Sequence, residues 1–267
     1  MNVFEFSIII TLQNNIFSGL FVGQNLLTLK EVDSTNNFLK DLLSNSKPLP
    51  EGTVIMADSQ YAGRGQQQNK WYSEPGKNLT FSLLLKPSFL NVLDQFDLTR
   101  AISLGVADAL KPLLGDEVKI KWPNDIYYGD KKLGGMLMEN IVQGGKIKNS
   151  VIGIGLNVNQ ENFPVEAANA VSVKQILQRD YDLRFLLSEI CHHIEAYYLN
   201  LKAGKISFVR ESYLKRLYWL NEKKSFRSKE EMFDGVINNV KYNGMLVVKN
   251  NKGEELEFSL KEIAFVQ

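Results

Sequence analysis

Apolar residues recur along this chain in two rhythms, and the switching between them predicts its elements. Leu26 to Glu31 has strand composition and runs into Asp33-Ser34-Thr35-Asn36, a cluster of helix-capping residues. Phe38, Leu39, Leu42 and Leu43 follow at helical spacing. Thr53 to Ala57 reads as a strand after the loop punctuated by Pro48 and Pro50, and Leu79 to Leu85 as another. Leu98 to Leu114 has the spacing of a helix with one buried face. Val118 to Trp122 reads as a strand stopped by the turn signal Pro123-Asn124-Asp125. Lys132 to Val142 and Ile147 to Asn157 predict two strands joined in a hairpin at Gly144-Gly145. Helices are predicted over Leu183 to Leu201 and Phe208 to Leu220. From Lys223 to Gln267 apolar and polar residues alternate, with turns at Tyr242-Asn243-Gly244 and Asn250 to Gly253. That tail reads as a separate small antiparallel β unit.

Hairpin strands interleaved with helices favour an α+β layer, a mixed or antiparallel sheet packed with helices, over a doubly wound parallel sheet. On this reading residues 1–220 form one large domain and residues 221–267 a small appended one. The 267 residues are 44% hydrophobic, which supplies a sizeable core and excludes disorder. With 31 Lys+Arg against 30 Asp+Glu the net charge is +1, too small for a protein that lives on nucleic-acid phosphates. A single cysteine, Cys191, excludes an internal disulfide and a cysteine-rich zinc site. His192 and His193 are the only histidines, which excludes a multi-histidine metal centre. Chemistry must therefore rest on lysine, arginine, carboxylates, amides and hydroxyls. Met1 to Gly23 is apolar but has no Lys/Arg n-region and is interrupted by Gln13, Asn14 and Asn15. Neither a signal peptide nor a membrane span is expected there, and a cytoplasmic location is the default.

Several segments carry candidate chemistry, each with a structural reading beside the functional one. Gln60 to Lys77 is a long polar loop, and such loops are usually functional or mobile. Within it, Gly63-Arg64-Gly65 either brings a guanidinium and bare backbone N–H groups to an anion or is a surface loop with one arginine. Lys121-Trp122-Pro123-Asn124-Asp125 places polar groups where a strand meets a turn, as a core Trp before an Asx turn also would. Lys131-Lys132-Leu133-Gly134-Gly135 is either a charged hairpin end or a site of close backbone approach. The glycines of Gly153-Ile154-Gly155-Leu156-Asn157-Val158-Asn159 leave room for a ligand on the sheet or mark a bulge. Asp33 to Asn36 caps a helix and also presents free N–H donors. Cys191-His192-His193 sits beside Ile190 and Ile194 in an amphipathic helix, which favours packing over catalysis.

Taken in order, these segments resemble the biotin–protein ligases. The matching residues are Asp33-Ser34-Thr35-Asn36, then Gln60-Tyr61-Ala62-Gly63-Arg64-Gly65 with Trp71. They continue with Lys121-Trp122-Pro123-Asn124-Asp125, Lys132-Leu133-Gly134-Gly135 with Glu139, and Gly153-Ile154-Gly155-Leu156-Asn157. The likeness covers roughly Leu26 to Asn159 closely, and the β tail fits the family's C-terminal domain. It implies a class II synthetase-like catalytic domain over 1–220, a small β-barrel over 221–267, and an ATP-dependent biotin–protein ligase. In that reaction biotin's carboxylate attacks the α-phosphate of ATP with Mg²⁺ assistance, giving biotinyl-5'-AMP and releasing pyrophosphate. A lysine of a biotin carboxyl carrier protein then takes the biotin and releases AMP.

By the same resemblance Lys132 and Arg64 would be catalytic. Ser34, Thr35, Asn36, Gln60, Arg64, Gly65, Gln66, Trp71, Lys132 and Gly135 would bind biotin. Lys121, Asn124, Asp125 and Asn157 would bind the nucleotide, with Asn124 and Asp125 at phosphates or Mg²⁺ and Asn157 at adenine. The metal ligands themselves are not assigned. Neither DNA nor a membrane is an expected partner, and a homodimer through a sheet edge is an assembly the family allows. Only about 25 residues precede the first motif, too few for the winged-helix domain of repressor relatives, so a ligase without that half is expected. The family's glycine loop, Gly-Arg-Gly-Arg-Arg-Gly-Arg-x-Trp, here reads Gly63-Arg64-Gly65-Gln66-Gln67-Gln68-Asn69-Lys70-Trp71. Fewer cations there imply a less electrostatic closure and an adenylate held less tightly. A lipoate–protein ligase is the nearest rival, and the absence of histidine from the first 190 residues counts against it. A non-catalytic biotin sensor is a second rival, and the retained Lys132 counts against that.

Overall fold

The computed structural model describes residues 17–45, 48–66 and 69–266, together with the backbone of residues 8–9. Gln67 and Gln68 of the glycine loop, and most of Met1 to Gly23, lie outside the described residues.

Eight strands form the main sheet: β1 (Ile8–Ile9), β2 (Leu26–Val32), β3 (Val54–Gln60), β4 (Leu79–Leu85), β5 (Val118–Lys121), β6 (Asp125–Tyr128), β7 (Lys131–Gln143) and β8 (Lys146–Leu156). Their spatial order is β1-β2-β3-β4-β8-β7-β6-β5. Only β2 and β3 run parallel, joined by helix α1 (Thr35–Asn45), so the sheet is mixed as its hairpin-rich pattern predicts. Period-two alternation sorts side chains to the two faces. From β4, Leu79, Phe81, Leu83 and Leu85 enter the large core, where they meet residues of α2 (Gln95–Leu114), α4 (Leu183–Lys202) and α5 (Ile206–Lys215). Leu84 of β4 joins Ile55, Ala57 and Val151 in a second, smaller core beneath Leu39 of α1. Thr80 and Ser82 share that second face and are buried. The site lies beside the smaller core, where the start of α1 meets the sheet.

Three elements differ from the sequence expectation. Asp125 to Tyr128 is a strand, so Trp122-Pro123-Asn124 turns a tight hairpin within the sheet, and Asp125 already pairs with Lys121. The helix expected to reach Leu220 stops at Lys215, because the chain then pairs with β5. Ile120 N–H donates to the Arg216 carbonyl and Tyr218 N–H to the Ile120 carbonyl, and Trp219 (φ 62°) and Asn221 (φ 60°) follow in left-handed conformations. A short helix, α3 (Val173–Leu177), was not expected, and the capping box of Ser172 and Gln175 starts it.

The tail forms an antiparallel sheet of β9 (Lys223–Ser228), β10 (Glu231–Val240), β11 (Leu246–Asn250), β12 (Glu255–Phe258) and β13 (Ala264–Phe265), in the order β12-β11-β10-β9-β13. Its seat on the main sheet is built from buried charge. Arg100, 1% exposed, pairs with Asp97 at 2.6 Å and donates to the carbonyls of Val240, Lys241 and Tyr242. Trp122 Nε1 donates to the Gly244 carbonyl at 2.9 Å.

A third buried charge straps the described part of the N-terminal segment to α4. Glu195 is 5% exposed and accepts the backbone N–H groups of Leu20, Phe21 and Val22 at 2.6, 2.7 and 2.9 Å. Glu195→Gln removes the charge and part of that acceptance, so about 1.5–3 kcal/mol of stability should be lost. A thermal melt checks this, and an unchanged midpoint would show that the strap adds nothing. Among the described residues, no helix is long and apolar enough to cross a membrane.

Candidate active site

A cavity of about 220 Å³ opens on the face of the main sheet that carries α1. Its floor is Gly135 of β7 with Gly153 and Gly155 of β8, its roof is Arg64, Gly65 and Gln66 with Asn69, Lys70 and Trp71, and the start of α1 closes one end. Lys132 and Asp125 stand at the other end. The floor glycines are required by protein side chains. A Cβ on Gly153 would fall 2.6 Å from Asn36 Oδ1, on Gly155 2.4 Å from the Trp71 indole, and on Gly135 2.9 Å from Asp125 Oδ1. No bulge accounts for Gly153 and Gly155, since the register shift between β7 and β8 lies between Ile141 and Val142.

The α1 end is a hydrogen-bonded relay. The Thr35 backbone N–H donates to Gln60 Oε1 at 2.8 Å, and the Thr35 hydroxyl lies 3.1 Å from the same oxygen. Ser82 Oγ lies 2.7 Å from Thr35 Oγ1 and 2.6 Å from Asn36 Oδ1. Asn36 Nδ2 donates to Glu139 Oε2 at 2.8 Å, and Arg64 and Lys40 bridge to the same carboxylate at 3.0 and 2.7 Å. Burial opposes the charge on Glu139, but the bonds from Lys40 and Asn36 and the Arg64 charge prevail and hold its carboxyl below the usual range.

At the opposite end Lys132 Nζ bridges to Asp125 Oδ2 at 2.7 Å across Gly135. Lys132 also borders a second cavity of about 540 Å³, lined in addition by Tyr127, Asn157 and Phe163. Asn69, Lys70 and Trp71 border both spaces. The Trp71 indole N–H is buried and has no partner. An orphaned donor on this shared wall fits a ligand oxygen, since buried N–H groups are otherwise nearly always paired.

The structure gathers most of the sequence-predicted residues. Ser34, Thr35, Asn36, Gln60, Arg64, Gly65, Gln66, Trp71, Asp125, Lys132 and Gly135 line the first cavity, and Asn157 lines the second. Asn157 Nδ2 donates to the Val171 carbonyl at 3.2 Å. Asn124 is 3% exposed and is spent on the Met136 carbonyl at 2.7 Å. Lys121 lies in an aromatic box, its Nζ 4.7 Å from the Tyr127 ring, 5.0 Å from Phe265 and 5.9 Å from Tyr218. Burial lowers its pKa. Neither residue lines these two cavities; Asn124 lines a third, of about 280 Å³, with Gln66 and Met138, and Lys121 Nζ donates to Tyr127 Oη at 3.1 Å.

Ser82, Lys40 and Tyr127 were not among the sequence candidates, and Glu139 was noted in a motif without a role. Ser82 did carry a signal, a hydroxyl in the otherwise apolar end of Leu79 to Leu85, where burial demands a partner.

Residues 29–157 match the family model described as the biotin/lipoate A/B protein ligase family. The Bifunctional ligase/repressor BirA of Bacillus spizizenii is 36% identical over 158 residues, 58% of this chain and 47% of that protein. The chain thus spans about half the length of that relative. The Biotin--[acetyl-CoA-carboxylase] ligase of Paracoccus denitrificans is 26% identical over 234 residues, 85% of this chain and 95% of that one. Among solved structures, the biotin protein ligase of Aquifex aeolicus in complex with biotin and ATP superposes with a TM-score of 0.75 at 28% identity, covering 91% of this chain and 99% of that one.

Proposed function

Because residues 29–157 match the biotin/lipoate A/B protein ligase family, we propose that the chain activates biotin with ATP to biotinyl-5'-AMP, releasing pyrophosphate, and passes the biotin to a lysine of a biotin carboxyl carrier domain. The observation that carries this reading is Lys132, whose side chain borders both cavities. One cavity would take biotin and the other the nucleotide, so the ammonium would lie where carboxylate and α-phosphate meet. Two anions must approach there, and a fixed cation would neutralise the charge that grows in the transition state. Neither half-step needs a nucleophile from the protein, which suits a chain whose one cysteine is buried.

At the α1 end a cyclic urea would meet hydroxyls and amides that are already oriented. Gln60, its Oε1 held by Thr35, has its amide N–H groups to offer the urea carbonyl, and Ser34 adds a hydroxyl. Each urea group left unpaired would cost about 1–3 kcal/mol, which is how lipoate would be rejected. Trp71 would offer its indole N–H to a ligand oxygen. Arg64 and its loop would cover the anhydride and keep water from it.

Magnesium usually needs only one or two carboxylates beside substrate phosphates. Asp125 is the carboxylate on the wall of the first cavity, so the residues present fit such an ion. When bound it would neutralise phosphate charge. The single buried cysteine also suits a cytoplasmic setting.

The test is ATP–pyrophosphate exchange with biotin, and with lipoate in its place. Exchange with biotin and none with lipoate is expected. Exchange that needs lipoate, or none with either, would sink the assignment.

A further inference from the structure

We infer that Glu139 is a positioning residue that ties recognition of the ligand's ring end to the placement of Arg64 over the cavity. This rests on the biotin reading of the cavity and extends it to a residue two positions beyond the wall residue Leu137 on the same face of β7.

One carboxylate oxygen does the joining. Glu139 Oε2 accepts from Asn36 Nδ2 at 2.8 Å and from Arg64 Nη2 at 3.0 Å, while Oε1 accepts from Lys40 Nζ at 2.7 Å. Asn36 belongs to the ring end and Arg64 to the loop that roofs the cavity. Asn36 has little freedom of its own. Its other amide hydrogen faces the Leu137 carbonyl at 3.3 Å, and its Oδ1 meets Ser82 Oγ at 2.6 Å. A continuous set of bonds therefore runs from Gln60 through Thr35, Ser82 and Asn36 to Glu139, and from there to Arg64. Short bonds among groups withdrawn from water are stiff and polarise one another. A ring that displaces Thr35 or Asn36 would thus displace the counter-ion of Arg64 as well, and Arg64 would be held less well beside a wrong ligand. Lys40 supplies the second cation, so Glu139 stays anionic while it holds the other two.

Glu139→Gln keeps the size and removes the charge. In pyrophosphate exchange it should raise KM for biotin about tenfold, the scale of one charge-assisted bond, and leave KM for ATP unchanged. Release of preformed adenylate should quicken by about the same factor. In an Arg64→Ala background the release effect of Glu139→Gln should vanish while the biotin effect persists, because the two act through different arms of one carboxylate. A residue serving only stability would lower the melting temperature without this split. Trypsin cleavage after Lys70 in the unliganded protein gives a readout independent of activity, and it should be several-fold faster in Glu139→Gln. Should the unaltered protein show no biotin-dependent exchange, the ligase reading fails, and the cleavage rate alone judges Glu139. Wild-type biotin KM and release rate in the variant, or equal cleavage rates, would overturn the inference. Glu139→Asp, which keeps the charge but withdraws it by one methylene, should fall between the two.

Discussion

Lys132→Ala is expected to slow biotin-dependent pyrophosphate exchange by two to three decades and to leave the melting temperature nearly unchanged. The rate effect follows from what the ammonium would do. Removing a fixed group aimed at developing charge typically costs about 3–4 kcal/mol of transition-state stabilisation. The other cations are placed differently: Arg64 is engaged by Glu139, Lys121 is boxed by Tyr127, Tyr218 and Phe265, and Lys70 borders the cavities from the loop rather than from the sheet floor. The small effect on stability follows from exposure. The Lys132 and Asp125 side chains are 35% and 30% exposed, and ion pairs in contact with water add little. Lys132→Arg should rescue poorly, because a Cβ on Gly135 would already lie 3.3 Å from Nζ, which shows how closely the ammonium fits the floor. Single-turnover adenylate formation separates chemistry from product release. A variant that kept a third of the rate would remove Lys132 from the mechanism.

The largest loss of stability is expected from Asp97→Ala. Asp97 is fully buried and takes Arg100 Nη1 at 2.6 Å, Arg210 Nε at 2.9 Å and Arg210 Nη2 at 2.7 Å. Burial lowers the Arg100 pKa and Asp97 partly offsets this, so without the carboxylate a guanidinium is left in the core uncompensated. Breaking such a buried pair from one side typically costs about 3–5 kcal/mol. The consequence reaches the tail, since Arg100 also holds the carbonyls of Val240, Lys241 and Tyr242 that seat the second sheet. Urea unfolding checks this: the midpoint should fall with an unchanged slope if the two sheets still unfold together. A midpoint shift worth less than about 1 kcal/mol would show that the arginines find other partners.

How much of this was legible in the sequence depends on the range over which each feature is decided. Leu79 to Leu85 was readable to the residue, because strand formation is written in composition and local alternation. The hairpin at Gly144-Gly145 was readable because both glycines take positive φ, 59° and 74°. Trp219 and Asn221 carried no such mark. Their left-handed φ is imposed where the chain leaves α5 to meet the second sheet, and the helix expected through Leu220 ended early.

The candidate site divides in the same way. Ser34 to Asn36, Gln60, Arg64, Lys132 and Gly135 could be named in advance by their order and type, and they line one cavity. The partners could not. Asn36 and Glu139 are 103 residues apart, and Arg64 and Glu139 are 75 apart. The glycines of Gly153 to Gly155 announced a close approach without saying of what, and the answer was Asn36 and Trp71. Lys121 and Asn124 look like ligand groups in a linear motif, yet the Lys121 ammonium lies over the Phe265 ring, Asn124 bonds to the Met136 carbonyl, and neither lines the two cavities. By itself the chain of residues determined its elements, its layered α+β character and the set of groups available for chemistry, because backbone sterics and side-chain periodicity act between near neighbours. Only the tertiary structure decided which of those groups face the cavity and which carboxylate holds which cation, because hydrogen bonds and ion pairs form between atoms brought together in space, whatever their separation along the chain.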